Sequence, residues 1–210
     1  MVILNISSRK LTKLEIKGDY LIAYSDGVKQ RRRIHLSEVT SLECSNNQLV
    51  SLPNSLPEGL KILHCSHNQL TSLPILPESL EKLICHHNQL TRLPDRLPKG
   101  LKGLYCISNH LISLPLLPEG LEDLLCNGNR LTSLPDPLPK RLEMLFCYDN
   151  PLKYVPFFKT RPRRLSVPGS LIDRHTRENY QEGYRTQEVT RYLFLTFYSE
   201  LGIQVDFIEM

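Results

Sequence analysis

The stretch LKILHCSHNQLTSLPILPES, residues 60–79, combines evenly spaced leucines with one cysteine, one asparagine and two Leu-Pro pairs. The same order of residues occurs six times between residues 39 and 157, with an incomplete last copy, on the template L-x-x-L-x-C-x-x-N-x-L-x-x-L-P. Self-similarity with a period of about 20 to 50 residues is the signature of a repeat architecture. The sequence therefore predicts one small structural unit that is repeated and stacked.

The register of the copies is almost constant. The cysteines lie 21, 20, 21, 20 and 21 residues apart, and an asparagine follows each cysteine by three residues. Longer copies have two residues between their Leu-Pro pairs, as at Asn54 and Ser55, whereas shorter copies have one, Ile75 or Leu116. The extra residue is therefore accommodated between the prolines, and the rest of each unit is unchanged.

An alternating pattern at the start of each copy predicts a short strand. Within residues 61–66, Leu63 and Cys65 occupy alternate positions, so both face the same side of a strand. Two inward residues cannot form a core alone, so neighbouring copies must stack to bury them. The Leu-Pro pairs restrict φ and remove backbone donors, which favours an extended return path over a helix.

This template resembles that of the leucine-rich repeat family. It is most similar to the short, Leu-Pro-rich class of secreted bacterial effectors, and similar repeats occur in proteins of large DNA viruses. The resemblance implies a β-rich solenoid, a leucine-rich repeat horseshoe in which short parallel strands line the concave side. The repeats are predicted to span residues 39–157 in six copies of 20–21 residues.

The two ends of a solenoid need caps, because each end exposes part of the core. Residues 1–38 alternate weakly and predict a strand-like N-terminal cap, with residues 11–21 as a degenerate opening repeat. After residue 157 the template stops, and two stretches with helix-start signals predict a helical C-terminal cap over residues 158–210.

The cysteines and asparagines predict structural ladders rather than chemistry. A line of inward thiols offers neither the tetrahedron of a zinc site nor a ready disulfide geometry. Free thiols indicate a reducing compartment. That compartment is the cytoplasm, or the host cytoplasm if the chain is an effector or viral protein. Each asparagine follows a strand at a turn, where its amide can bond unpaired backbone groups; the family resemblance implies an asparagine ladder. The ladder residues are Cys44, Cys65, Cys85, Cys106, Cys126, Cys147, Asn47, Asn68, Asn88, Asn109, Asn129 and Asn150.

The strand positions that face away from the core do not repeat, so specificity can be encoded there. They change from polar in the first copies to apolar and aromatic in the last ones. Exposed apolar stripes mark interaction sites, and aromatic residues anchor interfaces. An alternative for the last aromatics is packing under the C-terminal cap. We expect a partner-binding concave face made of His64, Ile84, His86, Tyr105, Ile107, Leu125, Phe146 and Tyr148.

Histidines cluster at the polar end of this face, at positions 64, 67, 86 and 87. Imidazoles suit transition metals, but no carboxylate belongs to the group. We therefore expect no metal site and no cofactor, and we interpret the cluster as the solvated end of a binding surface.

Charge and motifs argue against catalysis. The formal charge of +4 is mild, and the basic runs at residues 29–33 and 161–164 are interpreted as solvated ends of the solenoid. No phosphate-binding loop, H-E-x-x-H or G-x-S-x-G motif is present. Similar effector repeats precede a ubiquitin-ligase domain with a catalytic cysteine, but no cysteine follows Cys147.

The predicted function is therefore non-enzymatic: a protein–protein interaction module that binds a protein partner on its concave strand face. One alternative is a substrate-recruiting or regulatory subunit of a ubiquitin ligase supplied in trans. Another is a nucleic-acid-associated protein that uses the basic ends, although neither run is interleaved with aromatic residues. No small-molecule substrate and no membrane span are expected.

Overall fold

The structure of the protein is a computed structural model that describes residues 2–18, 20–25, 28–33, 35–153, 155–156 and 162–167. A 3-10 turn spans Leu36–Glu38. The strands, in chain order, are β1 (Val2–Asn5), β2 (Lys13–Lys17), β3 (Tyr20–Ser25), β4 (Val28–Arg33), β5 (Val39–Glu43), β6 (Ile62–His64), β7 (Lys82–Ile84), β8 (Gly103–Tyr105), β9 (Asp123–Leu125), β10 (Met144–Phe146) and β11 (Arg164–Ser166).

The repeats form one parallel sheet. Eight strands lie in the order β1-β5-β6-β7-β8-β9-β10-β11, each hydrogen-bonded to its neighbours. The template is in register across the sheet, since Leu63 pairs with Leu42 on one side and with Leu83 on the other. The predicted solenoid of short parallel strands is therefore confirmed.

The core of the solenoid consists of the leucines and cysteines of the template. In the second copy, Leu60, Leu63, Cys65 and Leu70 are completely buried. Equivalent residues of the other copies join them in a single cluster. Burial of one such side chain stabilises the fold by roughly 1.5–3 kcal/mol. Most of this burial exists only because each copy packs against the next one.

Each template asparagine connects two neighbouring copies. The side-chain oxygen of Asn88 accepts a hydrogen bond from the N–H of Leu70 in the preceding copy, at 3.0 Å. Its Nδ2 donates to the carbonyl oxygens of Cys65, in the preceding copy, and of Cys85, in its own, both at 3.1 Å. These bonds satisfy backbone groups that the turn leaves unpaired. The same pattern occurs at Asn68, Asn109, Asn129 and Asn150.

A tight turn after the second proline leads into each strand. The N–H of Leu80 donates to the carbonyl oxygen of Pro77 at 3.0 Å, and Leu101 donates to Pro98 at 3.1 Å. Because this turn fixes the distance from proline to strand, a variable residue is tolerated only further upstream, between the two prolines. Within the described residues of the range 39–153 the return path contains no helix, as the Leu-Pro pairs predict.

The chain begins with an opening turn of the solenoid that the sequence does not mark clearly. β1 pairs in parallel with β5, and the buried Ile6 and Leu11 take the places of Cys44 and Leu49. The N–H of Ile6 donates to the carbonyl oxygen of Glu43 at 2.8 Å, as Cys44 donates to the following copy. Spacing is therefore kept in this first turn although the marker cysteine and asparagine are absent.

The predicted degenerate repeat at residues 11–21 is wrong. Most of this range belongs to a separate three-stranded antiparallel sheet in the order β2-β3-β4, in which Leu14 pairs with Ala23. No Leu-Pro pair directs this segment along a return path, and Gly18, at φ 56°, supplies a left-handed residue after β2. The strand-like character predicted for residues 1–38 is confirmed.

A further strand that the sequence did not predict follows the last repeat. β11 pairs in parallel with β10, with Leu165 beside Leu145, and the N–H of Cys147 donates to the carbonyl oxygen of Ser166 at 2.8 Å. This strand lies within the range assigned to the helical C-terminal cap, and it extends the sheet beyond the last repeat. The rest of the predicted helical cap over residues 158–210 lies outside the described residues.

Candidate functional site

The side of the parallel sheet opposite the core, called the strand face below, carries three rows of side chains. On each strand the inward leucine is flanked by outward positions, as Leu63 is by Ile62 and His64. Aligned across β5–β10, these positions give a first row (Ser41, Ile62, Lys82, Gly103, Asp123, Met144), a central row (Glu43, His64, Ile84, Tyr105, Leu125, Phe146) and a third row (Ser45, Ser66, His86, Ile107, Asn127, Tyr148).

The sequence reasoning identified the central and third rows and missed the first. The signal was present, because the same two-residue period that selects His64 also selects Ile62. The first row matters because its members contact the central row. We therefore treat all three rows as the candidate surface.

The predicted exposure of the apolar half of the strand face is wrong. Ile84, Tyr105, Ile107, Leu125 and Phe146 are at most 6% exposed, although none of them belongs to the core cluster. Strands only about 4.8 Å apart press large neighbouring side chains against each other. Alternation in a sequence predicts which way a side chain points, but it does not predict whether neighbouring side chains shield it from solvent. His86 is also buried, whereas His64 and Tyr148 are half-buried.

Tyr105 illustrates how the rows interlock. Its ring lies over Gly103, where a Cβ atom would come within 2.6 Å of the ring carbon Cε2. The Tyr105 hydroxyl donates to Oδ2 of Asp123 at 2.7 Å, and the ammonium of Lys82 lies 5.5 Å from the ring centre. Burial, with the carboxylate nearby, raises the pKa of the Tyr105 hydroxyl, so this group is a neutral hydrogen-bond donor.

The four predicted histidines meet at the junction of the second and third copies. His67 and His87 occupy the same turn position in adjacent copies, and their rings stack with centres 4.5 Å apart. The buried His86 ring meets both edge-on, at 5.0 Å from His67 and 5.3 Å from His87. His64 lies further away, with its ring centre 6.1 Å from that of His86.

Burial keeps these imidazoles neutral. It is the main cause that lowers the pKa of His64, His67 and His87 below 6.5. The pKa of His86 falls to about 2, because burial penalises its charged form and the neighbouring His67, His87 and His64 repel a second proton. The cluster thus presents unprotonated ring nitrogens at neutral pH.

We expect acid to destabilise the fold through this cluster. An unfolded histidine binds a proton near pH 6.5, whereas folded His86 does so only near pH 2, so the unfolded state holds more protons between these values. The free energy of unfolding should therefore decrease as pH falls below 6.5, by up to about 1.4 kcal/mol per pH unit for His86 alone. Urea unfolding at pH 7.5, 6.5 and 5.5, with a chelator present, measures this slope.

Two variants assign the slope to the cluster. His86→Asn, which copies Asn127 in the same row, should flatten it, whereas His110→Gln, an exposed position that is glutamine in the first three copies, should leave it unchanged. Equal slopes in the wild type and in His86→Asn would show that the cluster does not control acid stability.

Within the described part of the chain, no helix has the length and apolar content that crossing a membrane requires. The same residues contain one group that could hold a metal ion, formed by His67, His86 and His87.

The chain is similar to solved structures of leucine-rich repeat effectors. YopM, a leucine-rich effector protein from Yersinia pestis, is 33% identical over 62% of this chain, with a TM-score of 0.52. The leucine-rich repeat domain of a Shigella effector is 32% identical over 71% of each chain, with a TM-score of 0.54. The match covers only 42% of the YopM chain. No protein-family model and no curated protein matches the sequence.

Proposed function

Because this chain belongs to the leucine-rich repeat family and resembles the bacterial effectors of that family, we propose that it is a protein–protein interaction module that binds a partner protein on the strand face. By the same resemblance this face is the concave side of the solenoid. The role requires no catalysis and no cofactor.

The observation that carries this proposal is the contrast between a constant scaffold and a variable face. The core position of the strand is leucine in all six copies, whereas the central row changes from Glu43 through His64 to Phe146. A solenoid displays such a row as one extended surface. Side chains that differ from copy to copy on an otherwise constant backbone are the means by which that surface distinguishes one partner from another.

The N-terminal end of the strand face is accessible. Glu43 and His64 are half-buried, and Ile3, which extends the first row onto β1, is 50% exposed. Asn5 donates to the Glu43 carboxylate at 2.6 Å, so this acidic group is held in place. A partner can therefore contact the polar end directly. For the buried apolar residues of this face, a binding role remains a prediction; these residues are Ile84, Tyr105, Ile107, Leu125 and Phe146.

Site-specific photo-cross-linking tests which face binds. A photoreactive amino acid at Glu43 or Ile62 on the strand face should capture one protein that excess unlabelled chain displaces. Matched positions on the return path are Ile75 and Leu116, 88% and 85% exposed, and they should capture little. Adducts from the return path alone would reject the strand face as the binding surface.

A charge-reversal substitution in this chain makes the test quantitative, because its effect on affinity for the captured partner can be measured. Glu43→Lys should weaken binding at least about tenfold, equivalent to about 1.4 kcal/mol, whereas Glu58→Lys, exposed on the return path, should leave affinity unchanged. Identification of the captured protein by mass spectrometry separates an ordinary partner from a ubiquitin ligase. Loss of the adduct after nuclease treatment would point to nucleic acid instead.

The six free, buried thiols support a reducing compartment as the place of action. For an effector-like protein that compartment is the host cytoplasm.

A further inference from the structure

Three imidazoles from two neighbouring copies converge on one point beside the strand face. His67, His86 and His87 each contribute one ring nitrogen, and these three nitrogens all lie within 4.8 Å of one another. The repeat register causes this convergence, because His67 and His87 are equivalent residues of adjacent copies and His86 directly precedes His87. The chain brings these groups together from two separate copies, so the cluster exists only in the folded state.

The buried member of the group lacks a hydrogen-bond partner. His86 is 1% exposed, and neither Nδ1 nor Nε2 has a partner among the described residues. A neutral imidazole carries one acceptor nitrogen and one N–H donor, and a buried polar group that is left unpaired costs about 1–3 kcal/mol. Native structures rarely leave such a group unpaired, and an ion is one of the usual reasons when they do.

The chemistry of the donor set points to a particular class of ion. Three neutral imidazole nitrogens suit Zn²⁺, Cu²⁺ or Ni²⁺, whereas Ca²⁺ and Mg²⁺ prefer oxygen ligands that this group does not offer. The expectation of no metal site rested on the missing carboxylate, but three histidines form a sufficient set for zinc with a fourth position left to water. His87 is exposed and His67 is half-buried, so an ion can reach the site from solvent.

We propose that His67, His86 and His87 bind one Zn²⁺ ion that links the second and third repeats. Zinc–imidazole bonds of about 2.0–2.1 Å place tetrahedral nitrogens about 3.4 Å apart, and rotation of the accessible His67 and His87 side chains closes the remaining distance. Because the three ligands converge only when the repeats stack, an ion at this site stabilises the stack of repeats. The site stands apart from the proposed function and does not depend on it.

The chain offers conservative variants that remove ligands without disturbing the backbone. His67 and His87 adopt left-handed conformations, with φ of 52° and 51°, and Asn46 fills the equivalent position at φ 53°. Asparagine adopts this conformation readily, so His67→Asn and His87→Asn should fold normally. His110→Gln is the matched control, because His110 is exposed and lies outside the cluster.

The test measures Zn²⁺ binding to the untagged protein by competition with a chromophoric chelator, and thermal unfolding with and without ZnCl₂. We expect one equivalent of Zn²⁺ and a raised unfolding temperature. Each single variant should lower the affinity at least about tenfold, since even outer-shell partners are worth that much, and the double variant should lose the temperature shift. His110→Gln should match the wild type.

Two outcomes overturn the proposal. One is no Zn²⁺ uptake by the wild type at millimolar metal, and the other is uptake that the double variant retains or that His110→Gln reduces equally. A measurement on the unmutated chain keeps the test decisive if a variant misfolds. One equivalent of Zn²⁺ should shift the imidazole proton resonances of three histidines, and unchanged resonances would reject the site.

Discussion

Replacing Asn88 with alanine should lower the free energy of unfolding by about 3–4 kcal/mol. The change removes the acceptor of the buried Leu70 N–H and the donor to the Cys65, Cys85 and His86 carbonyl oxygens. The Cys65 and Cys85 carbonyls keep bonds from Asn68 and Asn109. Most of the loss therefore comes from the Leu70 N–H, a buried donor that loses its acceptor.

Urea unfolding of the variant measures this loss, and Gln89→Ala is the matched control. Gln89 is the next residue and is exposed, so its truncation should change stability by less than about 0.5 kcal/mol. Because the asparagine lies in the middle of the stack, its loss should also weaken coupling between the two halves of the solenoid. A difference below about 1 kcal/mol between the two variants would mean that the asparagine ladder is not a main source of stability.

The repetitive part of the fold is accessible to sequence reasoning because one physical constraint acts six times. Leu63 and Cys65 share a strand face, and two inward residues bury nothing unless copies stack. The template therefore predicts the parallel sheet and its core. Asn88 is likewise predictable as a turn residue, since a polar side chain at the same place in each copy must satisfy the same backbone groups.

The ends of the sheet are less predictable because their marker residues are replaced. In the opening turn Ile6 stands where later copies have cysteine, and Arg9 stands where they have asparagine. Asn47 of the next copy compensates, since its oxygen accepts from both the Arg9 and the Leu11 N–H at 3.0 Å. At the C-terminal end of the sheet, β11 retains little of the template beyond Leu165.

The candidate site depends on what the sequence does not encode locally. Alternation assigns Tyr105 and Leu125 to the strand face, but whether they are exposed depends on what packs beside them. The histidine cluster depends on the register between copies, which brings His67 beside His87 although 20 residues separate them in the chain. A count of histidines along the sequence shows a cluster, and only the stacked geometry shows that three of them share one point.

The native protein should react with iodoacetamide at pH 8 at least about 10³-fold more slowly than free cysteine. All six thiols are reduced and completely buried. Burial raises the pKa of Cys44, Cys106 and Cys147 to about 12, and it raises the pKa of Cys85 well above 9. At pH 8 a thiol of pKa 12 is about 10⁻⁴ ionised, against about a quarter for a free cysteine, and only the thiolate reacts.

The measurement follows alkylation by mass spectrometry in native buffer and in urea. Six adducts should form quickly in urea, because unfolding removes both the burial and the pKa shift. Gln89→Cys provides an internal standard, since an added thiol at this exposed turn should label at the rate of free cysteine while the six ladder thiols remain protected. The residual native rate should then follow the global unfolding equilibrium and decrease when the fold is stabilised. Labelling of any ladder cysteine as fast as the added one, or a native mass that reveals disulfides, would contradict a core built on free thiols and would remove the support for a reducing compartment.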